Sequence, residues 1–383
     1  MPRTKGSKNK TGEEKGEPIT LETPLETIKK EKATDQKTPT DLADDVEDSG
    51  MKGARLENIN GLGPVTAQKL RDLGVQGVVG LATSRADEIA AQMKVSFTVA
   101  KGWISQAIEI VMGKMEVKTA DEYDEEQKKN MIFFHTGSCD FNHMIAGNSE
   151  FALKHNGGIP TGSITGLVGR LASGKTQVCY DAIANCLSKG FKAAFIETEP
   201  DTFHLDRLKE LAKLKGLDCN WKNLYVFGAK QVPTAKAQFL QYKLVQGLLE
   251  KGEPIKLVVV DSMNAKFRAG WSRSEMLPIR TREFGEHFNL IEYLTAKYHM
   301  AWLMTFQAIA PPRPDQGLAM KVKFEGEYYP VGGDFVLHSV NNWVALAQIK
   351  KHLWQATLFD SSHVERSSCT FVLDAKGLMD GVK

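Results

Sequence analysis

The stretch Gly169–Thr176 constrains the fold of this chain more than any other part of its sequence. It fits the P-loop pattern G-x-x-x-x-G-K-[ST], in which glycines let successive backbone N–H groups point at a triphosphate. Lys175 can then reach the β- and γ-phosphates, and the Thr176 hydroxyl can ligate Mg²⁺. The run Ser163–Val168 before it predicts a buried strand, and Val178–Leu187 after it predicts a helix. This setting indicates nucleotide binding, and the alternative is a glycine-rich turn in an ordinary α/β unit.

The composition narrows the class of protein. The chain has 383 residues, of which 42% are hydrophobic and 25% charged, with a net charge of +2, as is ordinary for a globular protein of two or three domains. The five cysteines form no Cys-x-x-Cys pair, which argues for reduced thiols and against a structural zinc site. Neither an apolar signal segment nor a run of about 18 apolar residues occurs in the sequence. We therefore expect a soluble intracellular protein without a membrane partner.

Changes in composition along the chain predict four segments. Residues 1–52 are charged and have almost no large apolar side chains, so we predict a disordered tail whose basic start either touches DNA phosphate or is merely solvated. Residues 53–112 are predicted to form a helical domain, residues 113–130 a linker and residues 131–383 the nucleotide-binding core. Within the linker, Met115–Ala120 is either a strand that joins the sheet of a neighbouring subunit or a simple tether.

The helical domain carries a helix-hairpin-helix pattern in Leu56–Leu70. Gly61 and Gly63 allow a tight turn, and Pro64 suits the first position of the next helix. In such a hairpin the backbone N–H groups can approach a DNA phosphate without reading the base sequence. The alternative is a protein-binding helical domain with a coincidental turn. Two later helices are predicted, at Val79–Ala91 and Val95–Val111.

The core alternates strands and helices. Near-continuous apolar strands in this arrangement indicate an α/β fold, with a mostly parallel sheet covered by helices and a late antiparallel portion. The predicted strands are Ser163–Val168, Lys192–Thr198, Asn223–Phe227, Ile255–Asp261 and Met300–Phe306, followed by shorter β-like runs at Asp334–Ile349, Leu353–Phe359 and Thr370–Asp374.

Polar residues at the ends of three predicted strands supply the groups that ATP hydrolysis needs. Asp261 follows an apolar strand and is predicted to hold Mg²⁺, directly or through water, unless it only caps a helix. Glu199 and Glu197 compete for the role of polarising the attacking water, and we favour Glu199. Gln307 ends its strand and is predicted to sense the γ-phosphate.

Two long loops are predicted to bind single-stranded DNA. They span about residues 269–282 and 310–334 and combine basic with aromatic side chains, which suits a single-stranded nucleic acid. The alternative is a pair of surface loops whose charges are only solvated. The basic residues predicted to contact DNA are Arg273, Arg280, Arg282, Arg313, Lys321 and Lys323.

Taken together, residues 54–383 resemble the RadA-type recombinases, the archaeal and eukaryotic branch of the RecA family. The matching stretches are Ile59–Pro64, Gly158–Thr165, Gly174–Gln177, Glu197–Glu199, Val260–Ser262, Phe267–Ala269, Gln307, Pro330–Gly333 and His338–Ser339. The resemblance implies a RecA-like P-loop ATPase core that uses ATP and Mg²⁺, assembles into a filament or ring on single-stranded DNA and exchanges strands with a homologous duplex. It further implies recombination mediators as partners, and a location in the cytoplasm at the nucleoid or, in a eukaryote, in the nucleus.

The same resemblance implies roles for individual residues. Glu199 looks like the catalytic glutamate, Arg207 like the residue that stacks on adenine, and Asp360–His363 like a segment that caps ATP on an adjacent subunit. The implied catalytic residues are Glu199, Lys175 and Gln307, and the implied metal ligands are Thr176 and Asp261. The implied nucleotide contacts are Gly169, Arg170, Leu171, Ala172, Ser173, Gly174, Lys175, Thr176, Gln177 and Arg207.

The sequence departs from the family pattern at three places. Val117 stands where the subunit-linking segment usually has Phe, residues 139–157 are longer than the pattern, and Asn342–Gln348 lacks the usual arginines. Two alternatives therefore accompany the recombinase: a paralogue that binds ATP and loads or regulates another recombinase, and a helicase or signalling ATPase with the same core. The helix-hairpin-helix pattern argues against the last of these.

Overall fold

A computed structural model describes residues 55–114, 117–270, 277–309, 329–330 and 333–381. The chain divides into two compact units between Lys118 and Thr119. The predicted tail 1–52 lies outside the described residues, as do the first two positions of the predicted subunit-linking segment. Residues 271–276 of the first predicted DNA-binding loop and most of the second also lie outside them. Within the described residues, no helix is both long and apolar enough to cross a membrane.

The first unit is helical. It contains a 3₁₀ turn at Leu56–Asn58 and helices at Pro64–Asp72, Gly77–Ala82, Ala86–Met93 and Phe97–Lys114. The single helix expected over residues 79–91 is therefore two helices. The hydroxyls of Thr83 and Ser84 donate to the carbonyl oxygens of Val79 and Gly80 at 3.1 and 2.7 Å, and such side-chain bonds compete with continuation of a helix.

The second unit is an α/β unit. Its strands are β1 (Phe133–Phe134), β2 (Ile159–Pro160), β3 (Ser163–Gly169), β4 (Lys192–Glu197), β5 (Leu224–Phe227), β6 (Ile255–Asp261), β7 (Ala301–Ile309), β8 (Tyr329–Pro330), β9 (Asn342–Lys350), β10 (Leu353–Ser361), β11 (Ser367–Asp374) and β12 (Gly377–Asp380). Its helices are Ala120–Asn130, Cys139–Ala146, Glu150–Lys154, Lys175–Ser188, Leu205–Leu214, Ala235–Glu250, Ala265–Gly270, Leu277–Tyr298 and Gly333–His338. The segment predicted to be β-like from Asp334 thus begins as a helix.

The main sheet has the strand order β12-β11-β10-β9-β3-β7-β6-β4-β5, with β8 paired to β7. The pairs from β9 through β3, β7, β6 and β4 to β5 are parallel, and the pairs among β9, β10, β11 and β12 are antiparallel. The RecA-like core predicted from the sequence is confirmed. Because β3, β4, β6 and β7 are parallel neighbours, their carboxyl ends lie along one edge of the sheet.

The apolar strands are buried on both faces of this sheet. In β6, Leu257 and Val259 pack into one hydrophobic cluster with the helix Lys175–Ser188, while Val258 and Val260 pack into a second cluster. Alternate side chains point to opposite faces of a strand, so a strand covered on both sides reads as a continuous apolar run.

The longer segment at 139–157 is not a surface loop. It forms the helices Cys139–Ala146 and Glu150–Lys154, and Phe141 and Ile145 are fully buried in the main cluster. All five cysteines are free thiols, of which Cys179 and Cys186 are buried and Cys139 is exposed.

A buried histidine lies in the second cluster. The His287 ring is 1% exposed and contacts the rings of Phe239, Tyr242 and Phe267 at centroid distances of 4.9 to 5.3 Å. Burial lowers the pKa of His287 to about 3, and the backbone of Ala235 only partly offsets this shift. Neither ring nitrogen has a hydrogen bond of ordinary geometry from the described residues.

Stability is therefore expected to fall in mild acid. Below about pH 6.5 the unfolded chain protonates this histidine, whereas the folded protein does not until about pH 3, so the free energy of unfolding drops by up to about 1.4 kcal/mol per pH unit. Urea unfolding at pH 7.5 and 5.5 measures the effect. His287→Phe should reduce the difference by about 1 kcal/mol, and the exposed control His338→Phe should not. Equal pH dependence in all three proteins would contradict the assignment.

Candidate nucleotide-binding and catalytic site

The P-loop connects β3 to the helix Lys175–Ser188, and two of its positions require glycine. A Cβ atom on Gly169 would lie 2.5 Å from Ser173 Oγ and 2.7 Å from the Leu346 carbonyl oxygen. Gly174 has a φ of +88°, and a Cβ there would lie 2.7 Å from Leu373 Cδ2. The loop is thus held closely between β9 and the end of β11.

The Lys175 side chain folds back onto the loop that precedes it. Its Nζ donates to the carbonyl oxygens of Gly169 and Arg170 at 3.0 and 2.9 Å, and to Ser173 Oγ at 3.2 Å. Burial lowers the pKa of Lys175. The ammonium group therefore lies at the centre of the loop, where phosphate oxygens can replace its present hydrogen-bond partners.

Thr176 and Asp261 are hydrogen-bonded to each other on the wall of the site. Thr176 Oγ1 donates to Asp261 Oδ2 at 2.7 Å, and the Thr305 hydroxyl donates to the other carboxylate oxygen. Asp261 is 5% exposed, and burial raises its pKa, whereas the two hydroxyl donors act in the opposite direction. A hydroxyl and a carboxylate that share one cavity wall match the oxygen ligands that Mg²⁺ prefers.

Glu199 is hydrogen-bonded to the residue that follows β6 and to a residue of β7. Its Oε1 accepts hydrogen bonds from Ser262 Oγ at 2.6 Å and from Gln307 Nε2 at 2.7 Å. The sequence predicted that Gln307 ends its strand, but β7 continues to Ile309. It lies beside Gly169 in the register of β3 and β7.

Glu197 has different neighbours. Its Oε1 accepts from the backbone N–H groups of Thr202 and Phe203 at 3.0 and 3.1 Å, and its Oε2 accepts from Ala229 N–H at 2.9 Å. The carboxylate thus fixes the loop after β4 and the turn after β5.

The P-loop residues, Glu199, Asp261 and Gln307 line one cavity of about 560 Å³, and Glu197 is not among its lining residues. Of the residues predicted from the sequence, it contains all nine from Gly169 to Gln177, together with Glu199, Asp261 and Gln307. It also contains Thr202, Ser262, Thr305 and Leu373, to which the sequence analysis assigned no role in the site. Ser262 directly follows Asp261, and Thr305 lies two residues before Gln307, so the sequence could have indicated both. The sequence around Leu373 contains no pattern that places this residue in the cavity.

A family model described as Rad51 matches residues 127–381 of the chain. The chain belongs to the Rad51 family. This confirms the resemblance drawn from the motifs, and the family is one of DNA-dependent ATPases.

Three relatives of this Rad51-family chain are each described as DNA repair and recombination protein RadA. The protein from Ignicoccus hospitalis is 28% identical over 361 residues, which cover 91% of this chain and 98% of the relative. That from Metallosphaera sedula is 26% identical over 346 residues, covering 88% and 99%. That from Aeropyrum pernix is 28% identical over 336 residues, covering 85% and 96%.

Arg207 lies outside the cavity lining of this Rad51-family core. Its guanidinium donates to Gln177 Oε1 at 3.3 Å, to Glu210 at 2.7 Å and to the Ala375 carbonyl oxygen at 2.7 Å. Since Gln177 itself lines the cavity, Arg207 joins the cavity rim to the turn between β11 and β12.

Only two of the basic residues predicted to contact DNA in the loops are described. Arg280 is half-buried, burial lowers the pKa of its guanidinium, and its Nε lacks a hydrogen bond from the described residues. The Arg282 side chain is 82% exposed and pairs with Glu286 at 3.4 Å. The other four, Arg273, Arg313, Lys321 and Lys323, lie outside the described residues.

The two hairpin glycines differ in their surroundings. Gly61 has a φ of +89°, and a Cβ there would lie 3.1 Å from Trp103 Nε1. Gly63 has an extended backbone, precedes Pro64 as the N-cap of its helix, and a Cβ there would meet nothing within 4 Å. The hairpin fold therefore requires glycine at position 61, but it leaves position 63 open to another molecule.

Proposed function

We propose that this protein is an ATP-dependent recombinase that assembles on single-stranded DNA and exchanges strands with a homologous duplex. The observation that carries the proposal is that one cavity brings the P-loop, Asp261, Glu199 and Gln307 together, in a chain of the Rad51 family. The relatives described as DNA repair and recombination proteins support the same role.

Each group in the cavity has a distinct task. Lys175 and the loop N–H groups bind the triphosphate, and Thr176 and Asp261 hold Mg²⁺, which supplies positive charge against the phosphates. Glu199 accepts a proton from the attacking water, and Gln307 holds the Glu199 carboxylate in position. Glu197 is bonded to three backbone N–H groups, which favours Glu199 for this task.

The remaining segments have supporting roles in the proposal. The helical domain, residues 53–112, binds duplex phosphate through its hairpin, and the basic residues of the two loops follow single-stranded DNA. Residues 113–130 link neighbouring subunits, with Val117, which is 94% exposed, as the anchor. Residues 1–52 serve as a tail, Asp360–His363 covers ATP on the adjacent subunit, and mediators assist assembly at the nucleoid or in a nucleus.

A joint-molecule assay tests the proposal. Purified protein is mixed with single-stranded DNA, homologous duplex, ATP and Mg²⁺, and joint molecules should form only with homologous duplex. Non-homologous duplex is the control. Bound ATP without joint molecules would instead indicate the accessory paralogue, which the lack of arginine in β9 specifically favours.

Substitutions at Gly63 test the hairpin. Gly63→Asp places a favourable N-cap residue before Pro64 but directs a negative charge at the phosphate, so affinity for duplex DNA should fall by about tenfold while stability stays equal or rises slightly. Gly63→Asn is the matched control without charge and should bind more tightly than Gly63→Asp. Fluorescence anisotropy and thermal unfolding measure both effects. Identical DNA affinity of the two variants at low salt would place the phosphate elsewhere.

A further inference from the structure

The side chain of Asn264 forms a two-point clamp on the backbone of Gln307. Asn264 Oδ1 accepts from the Gln307 backbone N–H at 3.1 Å, and Asn264 Nδ2 donates to the Gln307 carbonyl oxygen at 3.2 Å. Asn264 is fully buried. Both of its polar groups are therefore directed at a single peptide segment of β7.

The position of the clamp in the sheet explains why it is needed. The pairing of β6 with β7 ends at Val260 and Met304, so among the described strands none is paired with β7 at Gln307 on the side of β6. The Met263 N–H donates to the Thr305 carbonyl oxygen at 2.9 Å, and Asn264 provides the next pair of bonds along β7. The amide side chain thus replaces the missing strand.

The clamp acts on the residue that reaches Glu199. With its backbone held on both sides of Cα, Gln307 directs Nε2 to Glu199 Oε1 at 2.7 Å, the atom that also accepts from Ser262. A displacement of about 1 Å at a catalytic group can cost up to 10²-fold in rate. Asn264 itself does not line the cavity.

We propose that Asn264 is a positioning residue for ATP hydrolysis, which holds Gln307 so that Gln307 orients the Glu199 carboxylate towards the attacking water. The inference rests on the proposed ATPase function of the same site. It separates binding from turnover. Lys175, proposed to bind the triphosphate, donates to the loop itself, and Thr176, proposed to hold Mg²⁺, donates to Asp261, so neither depends on Asn264 for its position.

Two substitutions and a matched control test the role. Asn264→Ala removes both bonds, and Asn264→Asp keeps the acceptor but opposes the Gln307 carbonyl oxygen with a second oxygen. Asn142 provides the control because its side chain, 4% exposed and outside the cavity, clamps the backbone of Thr136 in the same way, at 2.8 and 3.4 Å. Asn142→Ala therefore loses an equivalent buried clamp that touches no residue of the cavity lining named above.

ATP turnover with Mg²⁺ and single-stranded DNA is then measured as kcat and KM. Asn264→Ala and Asn264→Asp should lower kcat by about tenfold or more and change the KM for ATP by less than about twofold, whereas Asn142→Ala should lower Tm without lowering kcat. In a Gln307→Ala background, Asn264→Ala should cause no further loss of kcat, since its effect passes through that side chain.

The outcomes separate the inference from the proposed function. Wild-type protein without ATP turnover would overturn both. Wild-type turnover combined with independent, multiplicative losses from Asn264→Ala and Gln307→Ala would overturn only the clamp. An equal loss of kcat in Asn142→Ala would also overturn only the clamp, because the lower kcat would then result from a general loss of stability. If Asn264→Ala does not fold, the Asn264→Asp series decides.

Discussion

Glu199→Gln is expected to lower kcat for ATP hydrolysis by about 10²- to 10³-fold while leaving ATP binding intact. The amide has nearly the shape of the carboxylate, and its oxygen can still accept from Ser262 and Gln307 at the positions seen at 2.6 and 2.7 Å. The amide cannot take a proton from water, as the carboxylate can. Single-turnover hydrolysis and equilibrium binding of ATP measure the two properties separately.

The neighbouring carboxylate provides the control. Glu197→Gln should leave kcat within a few-fold of wild type but lower stability by about 1–3 kcal/mol, because the amide N–H₂ must face at least one of three backbone donors. The main effect of Glu199→Gln is thus expected in turnover, and that of Glu197→Gln in thermal unfolding. A normal rate in Glu199→Gln together with a lost rate in Glu197→Gln would reverse their roles.

The sequence predicted the sheet and its carboxyl edge well because buried parallel strands have a strong local signature. The strand Ile255–Asp261 has the boundaries that its apolar run suggested. The helix Gly333–His338 was predicted wrongly as β-like, because six residues are too few to display a helical period. The break after Ala82 was also missed, since it depends on where two hydroxyl groups bond.

The candidate site was predictable to the extent that its residues belong to motifs. The P-loop, Asp261, Glu199 and Gln307 share one cavity, as expected for residues at adjacent strand ends. The remaining features depend on tertiary contacts, such as the approach of Leu373 to Gly174 and the clamp of Asn264 on Gln307. Neither contact leaves a spacing in the sequence from which it could be inferred.

The second large effect is expected at the P-loop lysine. Lys175→Ala should lower ATP hydrolysis by on the order of 10²- to 10³-fold and weaken ATP binding, because it removes the only ammonium among the residues that line the described cavity. The loss is electrostatic as well as structural, since the side chain carries its charge at the centre of the loop, where partial burial lowers the pKa of Lys175. ATP binding is measured by calorimetry and turnover by phosphate release.

The same helix offers a matched control at its other end. Lys189 follows the helix Lys175–Ser188, donates to the Phe133 carbonyl oxygen at 2.6 Å, and burial lowers its pKa as well. Lys189→Ala therefore removes another ammonium group that is bonded to the backbone, although a more exposed one than Lys175, and it should reduce stability without affecting ATP binding. If Lys189→Ala impaired ATP binding as much as Lys175→Ala, the loss would come from destabilisation of the helix and not from a lost phosphate contact. If Lys175→Ala kept DNA-stimulated turnover, the triphosphate would have to lie elsewhere in the cavity.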